Sequence, residues 1–207
     1  MLYLYNPLEK EFNKTTKPGH FPNTYWDDLR VPLLSTVREG SKQPTLVTFS
    51  DNGSGSQGVL CFSFSGSQEQ EVYFQCQIPH KYKLGTNLHP HIHWVPSVTG
   101  AEGEVVNWGF EYTIANINDS FPNTVITSTN TTSSGDSILI SNKHYLSSFP
   151  EIDGSNIDSV STMLICRVFR DATGALDTDD YNSSVFAIEF DFHYEIDSAG
   201  SNEEYIK

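Results

Sequence analysis

The sequence predicts an all-β protein, an antiparallel β-sandwich or jelly roll that carries an extended N-terminal arm. After Pro44 the chain consists of short apolar or alternating segments separated by loops rich in Gly, Ser and Asn. No stretch has the 3.6-residue hydrophobic period of a long amphipathic helix, which argues against a parallel sheet with crossover helices. We therefore expect residues 1–40 to form the arm and residues 41–207 to form a single domain.

The expected strands follow one another at short intervals. They lie at residues 45–50, 58–64, 71–78, 88–94, 104–116, 124–129, 137–141, 161–170 and 184–196. The first two flank residues 51–56, where an Asn-Gly pair and a further glycine supply the positive φ angles of a hairpin loop. Residues 71–78 alternate as a half-buried strand does, whereas residues 161–170 are apolar on both faces and should be central.

The last expected strand has the clearest alternation. One face would carry Phe186, Ile188, Phe190, Phe192, Tyr194 and Ile196, and the other Glu189, Asp191, His193 and Glu195. Successive side chains of a strand point to opposite sides of the sheet. The aromatic face is therefore expected in the core, and the polar face outside.

The arm is rich in aromatic residues and interrupted by prolines. Its large aromatic side chains are Tyr3, Tyr5, Phe12, Phe21, Tyr25 and Trp26. Without clear periodicity to bury them, they should pack on the body of the same domain or on a neighbouring subunit. We expect a homo-oligomer, with a trimer favoured.

The charge of the chain excludes some classes of partner. With 26 acidic against 12 basic residues, the formal net charge is −14. Nucleic-acid binding depends on Lys and Arg to neutralise phosphates, so no nucleic-acid partner is expected. The same excess disfavours anionic lipid, and no apolar run is long enough to span a bilayer.

The cysteines and the N-terminus predict a cellular setting. Cys61, Cys76 and Cys166 are an odd set in apolar segments, which indicates buried free thiols in a reducing compartment. Residues 1–5 lack a basic region before Asn6-Pro7, so no secretion signal is expected. These features are typical of a protein made in a cytoplasm.

The segment around residues 88–94 is the main candidate site. His89, His91 and His93 are spaced by two, so a strand would place all three imidazoles on one face. Such a face would bind a divalent transition metal, or it would carry hydrogen-bonded histidines at a sheet surface or subunit contact. We expect the second arrangement and no cofactor, because one strand rarely supplies a complete metal site.

A wider contact surface is a second candidate. Its candidate residues are His80, Trp94, Trp108, Tyr112, Asp191 and His193. If the strands that carry Asp191 and His193 lie beside the histidine strand, a mixed imidazole and carboxylate site would form. A concave site lined by Trp94, Trp108, Tyr112 and the histidines would hold a sugar or a small acid.

Two resemblances to known families bear on function. Gly85, His91 and His93 resemble the first half of the cupin metal motif, which implies a metal-dependent jelly-roll enzyme. The chain departs from that motif because the first Glu after His93 is Glu102, and the remaining cupin His motif is not evident.

The second resemblance runs through most of the chain. Residues 25–32, 77–86, 91–94, 107–112 and 191–194, with Gly200-Ser201, resemble small proteins encoded near structural genes of tailed phages and environmental viruses. This resemblance implies a non-enzymatic virion protein, such as a capsid decoration, spike or tail-associated part, whose partners are itself and other virion proteins. The rival hypothesis is a cupin-like enzyme or carbohydrate-binding domain that uses the histidine strand.

Overall fold

The fold is described from a computed structural model, which describes residues 3–6, 11–14, 20–131 and 138–204, with side chains from residue 25 onward. Its strands are β1 (Tyr3–Asn6), β2 (Glu11–Lys14), β3 (His20–Pro32), β4 (Thr45–Ser50), β5 (Val59–Phe64), β6 (Gln70–Gln77), β7 (Leu88–Pro96), β8 (Val106–Ala115), β9 (Val125–Thr131), β10 (Tyr145–Ser148), β11 (Met163–Arg170) and β12 (Val185–Ser198). Single 3-10 turns occur at Leu33–Ser35, Gly40–Lys42 and Gly154–Asn156. None of the helices in these ranges has the length and apolar character needed to cross a membrane.

Two antiparallel sheets form the body of the protein. The first sheet has the strand order β10-β7-β12-β5-β4, and β3 also pairs with β12. The second sheet has the order β6-β11-β8-β9, and β1 pairs with β2 separately. The predicted all-β antiparallel sandwich, the architecture to which jelly rolls belong, is therefore confirmed. β11 is central in its sheet, as its two apolar faces predict.

Aromatic side chains from both sheets meet in the core. The Phe190 ring of β12 lies 5.2 Å from the Phe74 ring and 4.9 Å from the Phe110 ring, both on the second sheet. Trp94 and Trp108, one from each sheet, are completely buried, with ring centroids 6.3 Å apart. Burial of this apolar area supplies the main driving force that holds the sheets together.

A bulge in β12 corrects the predicted alternation of that strand. The pairing of β12 with β7 shifts between Ala187 and Glu189. Before the shift Ala187 points inward and is 2% exposed, whereas Ile188 is 43% exposed. After the shift the even-numbered residues face inward as expected, and Phe190 and Phe192 are buried. A bulge adds one residue to one strand, so the inward face changes from odd to even positions.

The segment between β9 and β11 also differs from expectation. Residues 132–137 lie outside the described residues, and the strand expected at 137–141 is reduced to an isolated bridge between Ile138 and Glu102. β10 follows instead, with Tyr145 and Ser147 buried and Leu146 exposed. A four-residue strand is too short for its alternation to be recognised in sequence.

Part of the predicted arm lies against the body of the protein. β3 pairs antiparallel with β12 from Pro32↔Glu189 to Tyr25↔Ile196. The side chains of Tyr3, Tyr5, Phe12 and Phe21 are outside the described residues. Tyr25 and Trp26 are about half exposed.

A buried ion pair fixes the acidic loop that follows β11. Arg170 and the Asp179 side chain are at most 1% exposed. Arg170 Nε donates to Asp179 Oδ2 at 2.9 Å and Nη2 donates to Oδ1 at 2.7 Å, a bidentate arrangement. Nη1 also donates to the Ser183 carbonyl at 2.7 Å, so the guanidinium joins both ends of the loop.

Candidate functional site

The candidate site lies on the outer face of the first sheet, where strand pairing brings five histidines together with Asp191. We call this set the histidine face, and its members are His89, His91, His93, His144, Asp191 and His193. On β7 and β12, His91 pairs with Asp191 and His89 pairs with His193. The mixed imidazole and carboxylate surface considered from the sequence therefore exists, because β7 and β12 are neighbours.

His91, His93 and Asp191 form the centre of the histidine face. One donor atom from each residue lies within 4.8 Å of the other two. His93 Nε2 is 3.2 Å from Asp191 Oδ2, and His91 Nε2 makes an ion-pair contact with Asp191 Oδ1. Asp191 is 4% exposed, and the two imidazoles are partly buried.

Both oxygens of this buried carboxylate face imidazole nitrogens. Among the described residues, Asp191 Oδ1 receives no hydrogen bond, since its contact with His91 lacks hydrogen-bond geometry. A buried carboxylate is stable only when it is paired, and here the two imidazoles supply that pairing. Asp191 is therefore the most informative residue of the site.

The backbone orients the ring of His91. Its Nδ1 lies 3.2 Å from the His89 carbonyl oxygen, an acceptor, so Nδ1 carries the proton and donates. In the neutral imidazole the lone pair is then on Nε2, which faces Asp191. A metal-ligating histidine is commonly oriented in this way, by a hydrogen bond from its other ring nitrogen to a carbonyl oxygen.

The electrostatics of the centre favour positive charge beside Asp191. Burial by itself lowers the pKa of His91, but pairing with Asp191 and the charge of that carboxylate raise it above its usual value. Burial by itself raises the pKa of Asp191, and pairing with His91 and His93 outweighs this effect and lowers it. Both shifts describe the mutual stabilisation of a protonated imidazole and an ionised carboxylate.

His144 was not identified from the sequence. Its Nε2 lies 2.8 Å from His93 Nδ1, and the rings are 4.9 Å apart. Burial, and secondarily the charge of His93, lower the pKa of His144. His144 precedes the short strand β10, outside any recognisable period, so only the pairing of β10 with β7 reveals it.

The remaining histidines of the face are engaged at its rim. His89 Nδ1 lies 3.2 Å from Glu151 Oε1, and His193 Nδ1 donates to Asp28 Oδ1 at 2.6 Å. Trp26 stacks on His193 with centroids 4.7 Å apart and planes 9° apart. The structure places His89, His91 and His93 on one face of β7, and it brings Asp191 rather than His89 within 4.8 Å of His91 and His93.

The predicted concave site with Trp94, Trp108 and Tyr112 is not formed. Trp94 and Trp108 are buried between the sheets, on the opposite side of β7 from the histidines. Tyr112 packs on Phe110 at the core. His80 is elsewhere, with Nε2 2.9 Å from Ser161 Oγ. Alternation along β7 separates its tryptophan from its imidazoles.

A shallow depression of about 500 Å³ lies over the histidine face. Besides His89, His91, His93, Asp191 and His193, it is lined by Trp26, Asp28, Leu146 and Ser148. Neutral imidazoles and a carboxylate are suitable ligands for zinc, iron, cobalt or nickel. His91, His93 and Asp191 are therefore largely buried, but solvent reaches them through the depression.

Comparison with known proteins does not assign the chain to a family. No family model and no curated protein matches the chain. The structure of the infectious bursal disease virus Gx strain matches with 13% identity and a TM-score of 0.39, over 96% of this chain and 36% of that chain. TmCBM61 in complex with β-1,4-galactotriose matches with 12% identity and a TM-score of 0.33, over 87% of this chain and 92% of that chain. The chain thus spans about a third of the viral chain, and similarity at this level does not assign a function.

Proposed function

We propose that this protein binds a divalent transition metal ion, with zinc as the reference ion, through His91, His93 and Asp191. The observation that carries the proposal is the buried Asp191 carboxylate, whose two oxygens each contact an imidazole nitrogen in a group of three donors. The sequence expectation is hydrogen-bonded histidines without a metal, and the proposal adds a metal ion to that arrangement. A metal ion between these groups would be bound by the carboxylate and by the two imidazole nitrogens that pair with it.

The spacing of the donors suits such an ion. Ligand atoms about 2.1 Å from a tetrahedral metal lie roughly 3.4 Å from one another. The three donors already lie within 4.8 Å. Small side-chain rotations would close the site, without any change in the pairing of β7 with β12.

The experiment measures metal content in untagged protein exposed to zinc and then desalted. We expect about one zinc per chain in the wild type, and loss of that zinc in Asp191→Asn and His91→Ala. His89→Ala is the matched control and should retain the metal, because His89 is paired with Glu151. Absence of zinc from the wild type, or its retention in Asp191→Asn, would refute the proposal.

We propose as a second candidate that the chain is a self-assembling structural component of a phage particle. The observation that favours it is the edge strand β4, whose sequence TLVTFS contains neither a charge nor a proline. With β5 it exposes Leu46, Val59 and Leu60. Unprotected edge strands with exposed apolar side chains readily pair with another chain.

Light scattering tests this second candidate. A homo-oligomer is expected, with a trimer favoured, and Leu46→Lys should weaken it. Ile117→Lys, a change at an exposed loop position, is the control and should leave the oligomer unchanged. A wild-type protein that is monomeric at tens of micromolar would contradict self-assembly.

A further inference from the structure

We infer that a metal ion held by His91, His93 and Asp191 keeps a coordination position open towards the depression, and that this position binds a small carboxylate with an apolar body. The inference rests on the proposed function and adds the class of ligand. Three protein donors leave at least one position vacant in a four-coordinate ion, which is the pattern of sites that accept an exogenous ligand.

The other imidazoles of the histidine face are committed to other partners. His89 is paired with Glu151, His193 donates to Asp28, and His144 contacts the distal nitrogen of His93. None of these three contacts involves the donor atoms that face Asp191. Within the described part of the chain, a fourth ligand would therefore have to come from outside this histidine set.

The charge of the loaded centre favours an anion. A divalent ion with neutral imidazoles and one carboxylate retains one positive charge. Of the carboxylates nearby, Glu189 is paired with Arg30, whereas Asp28 and Glu151 contact the imidazoles of His193 and His89, which are charged only when protonated. Although the chain as a whole is strongly acidic, the metal ion would be the charge closest to an incoming ligand atom, so an anion would be attracted to the vacant position.

The walls of the depression indicate the rest of the ligand. Trp26 and Leu146 line it and are 46% and 49% exposed. Trp26 uses one ring face to stack on His193, which holds the indole in place. A depression of about 500 Å³ has room for an anion with a ring or short aliphatic chain. We therefore expect an aromatic carboxylate to bind more tightly than acetate.

Cobalt-loaded full-length protein provides the test, because its visible absorption reports changes in coordination. Titration with benzoate and with acetate should change the spectrum saturably, and benzoate should bind about two- to tenfold more tightly. Trp26→Ala should bind the same amount of cobalt and lose this preference for benzoate. Thr113→Ala, a substitution on the second sheet, is the control and should behave as wild type.

The outcomes separate this inference from the proposed function. If the wild type binds no cobalt, both are overturned. If cobalt binds but neither anion changes the spectrum, the centre is closed, and only the open position is overturned. If both anions bind equally, or Trp26→Ala keeps the preference, the apolar wall has no role and the ligand class is wrong.

Discussion

Replacement of Asp179 by Asn should destabilise the protein strongly, although Asn has nearly the same shape. The change removes the counter-charge of Arg170, which is completely buried, and leaves a guanidinium without a carboxylate. Breaking one side of a buried ion pair costs about 3–5 kcal/mol. In a protein of this size each kcal/mol lowers Tm by about 2–4 °C, so a fall of roughly 6–20 °C is expected.

The assay is urea unfolding together with a thermal scan, compared with two other variants. Asp177→Asn, an exposed change in the same loop, should alter stability by less than about 0.5 kcal/mol. The double change Arg170→Met with Asp179→Leu should recover much of the loss, since it removes both charges. If the free energy of unfolding of Asp179→Asn were within about 1 kcal/mol of the wild-type value, the role assigned to the ion pair would be refuted.

Three further predictions follow from the structure. Ala187→Asn should cost more than about 2 kcal/mol of stability and Ile188→Asn less than about 1 kcal/mol. The reason is that the bulge turns Ala187 inward and Ile188 outward. Equal losses of stability in urea unfolding would contradict the bulge. Burial raises the pKa of Cys61 to about 11 and also raises that of Cys166. A thiol reagent at pH 8 should therefore modify at most Cys76 in the native protein, and all three cysteines in denaturant. Zinc at one hundred times its Kd should stabilise the wild type by about 2.7 kcal/mol and raise Tm by roughly 5–11 °C, an effect that a chelator reverses; an unchanged Tm would count against binding to the native state.

Much of the fold could be predicted because strands with one buried face alternate strictly. Val106, Trp108 and Phe110 lie in the core as the period of two predicts, and so do Phe190 and Phe192, although Asn107 and Asp191 between them are also buried. The exchange of faces at Ala187 and Ile188 could not be predicted, since a bulge depends on the partner strand.

Prediction of the site was limited by topology. The spacing of His91 and His93 places both on one face, and Asp191 was recognised on a polar face of another strand. Which strand lies beside β7, and in what register, depends on contacts far apart in sequence. That register decides that Asp191, and not His89, completes the donor group. The contact between His144 and His93 could not be predicted either, because it also depends on strand pairing between residues far apart in sequence.

The most direct test of the metal site is the position of the ion itself. Crystals of zinc-loaded protein, measured at the zinc absorption edge, should give an anomalous peak about 2.0–2.2 Å from His91 Nε2, His93 Nε2 and a carboxylate oxygen of Asp191. The density should also show a non-protein ligand on the side of the depression. A peak bound by His89 without Asp191, or no peak on the histidine face, would contradict the account.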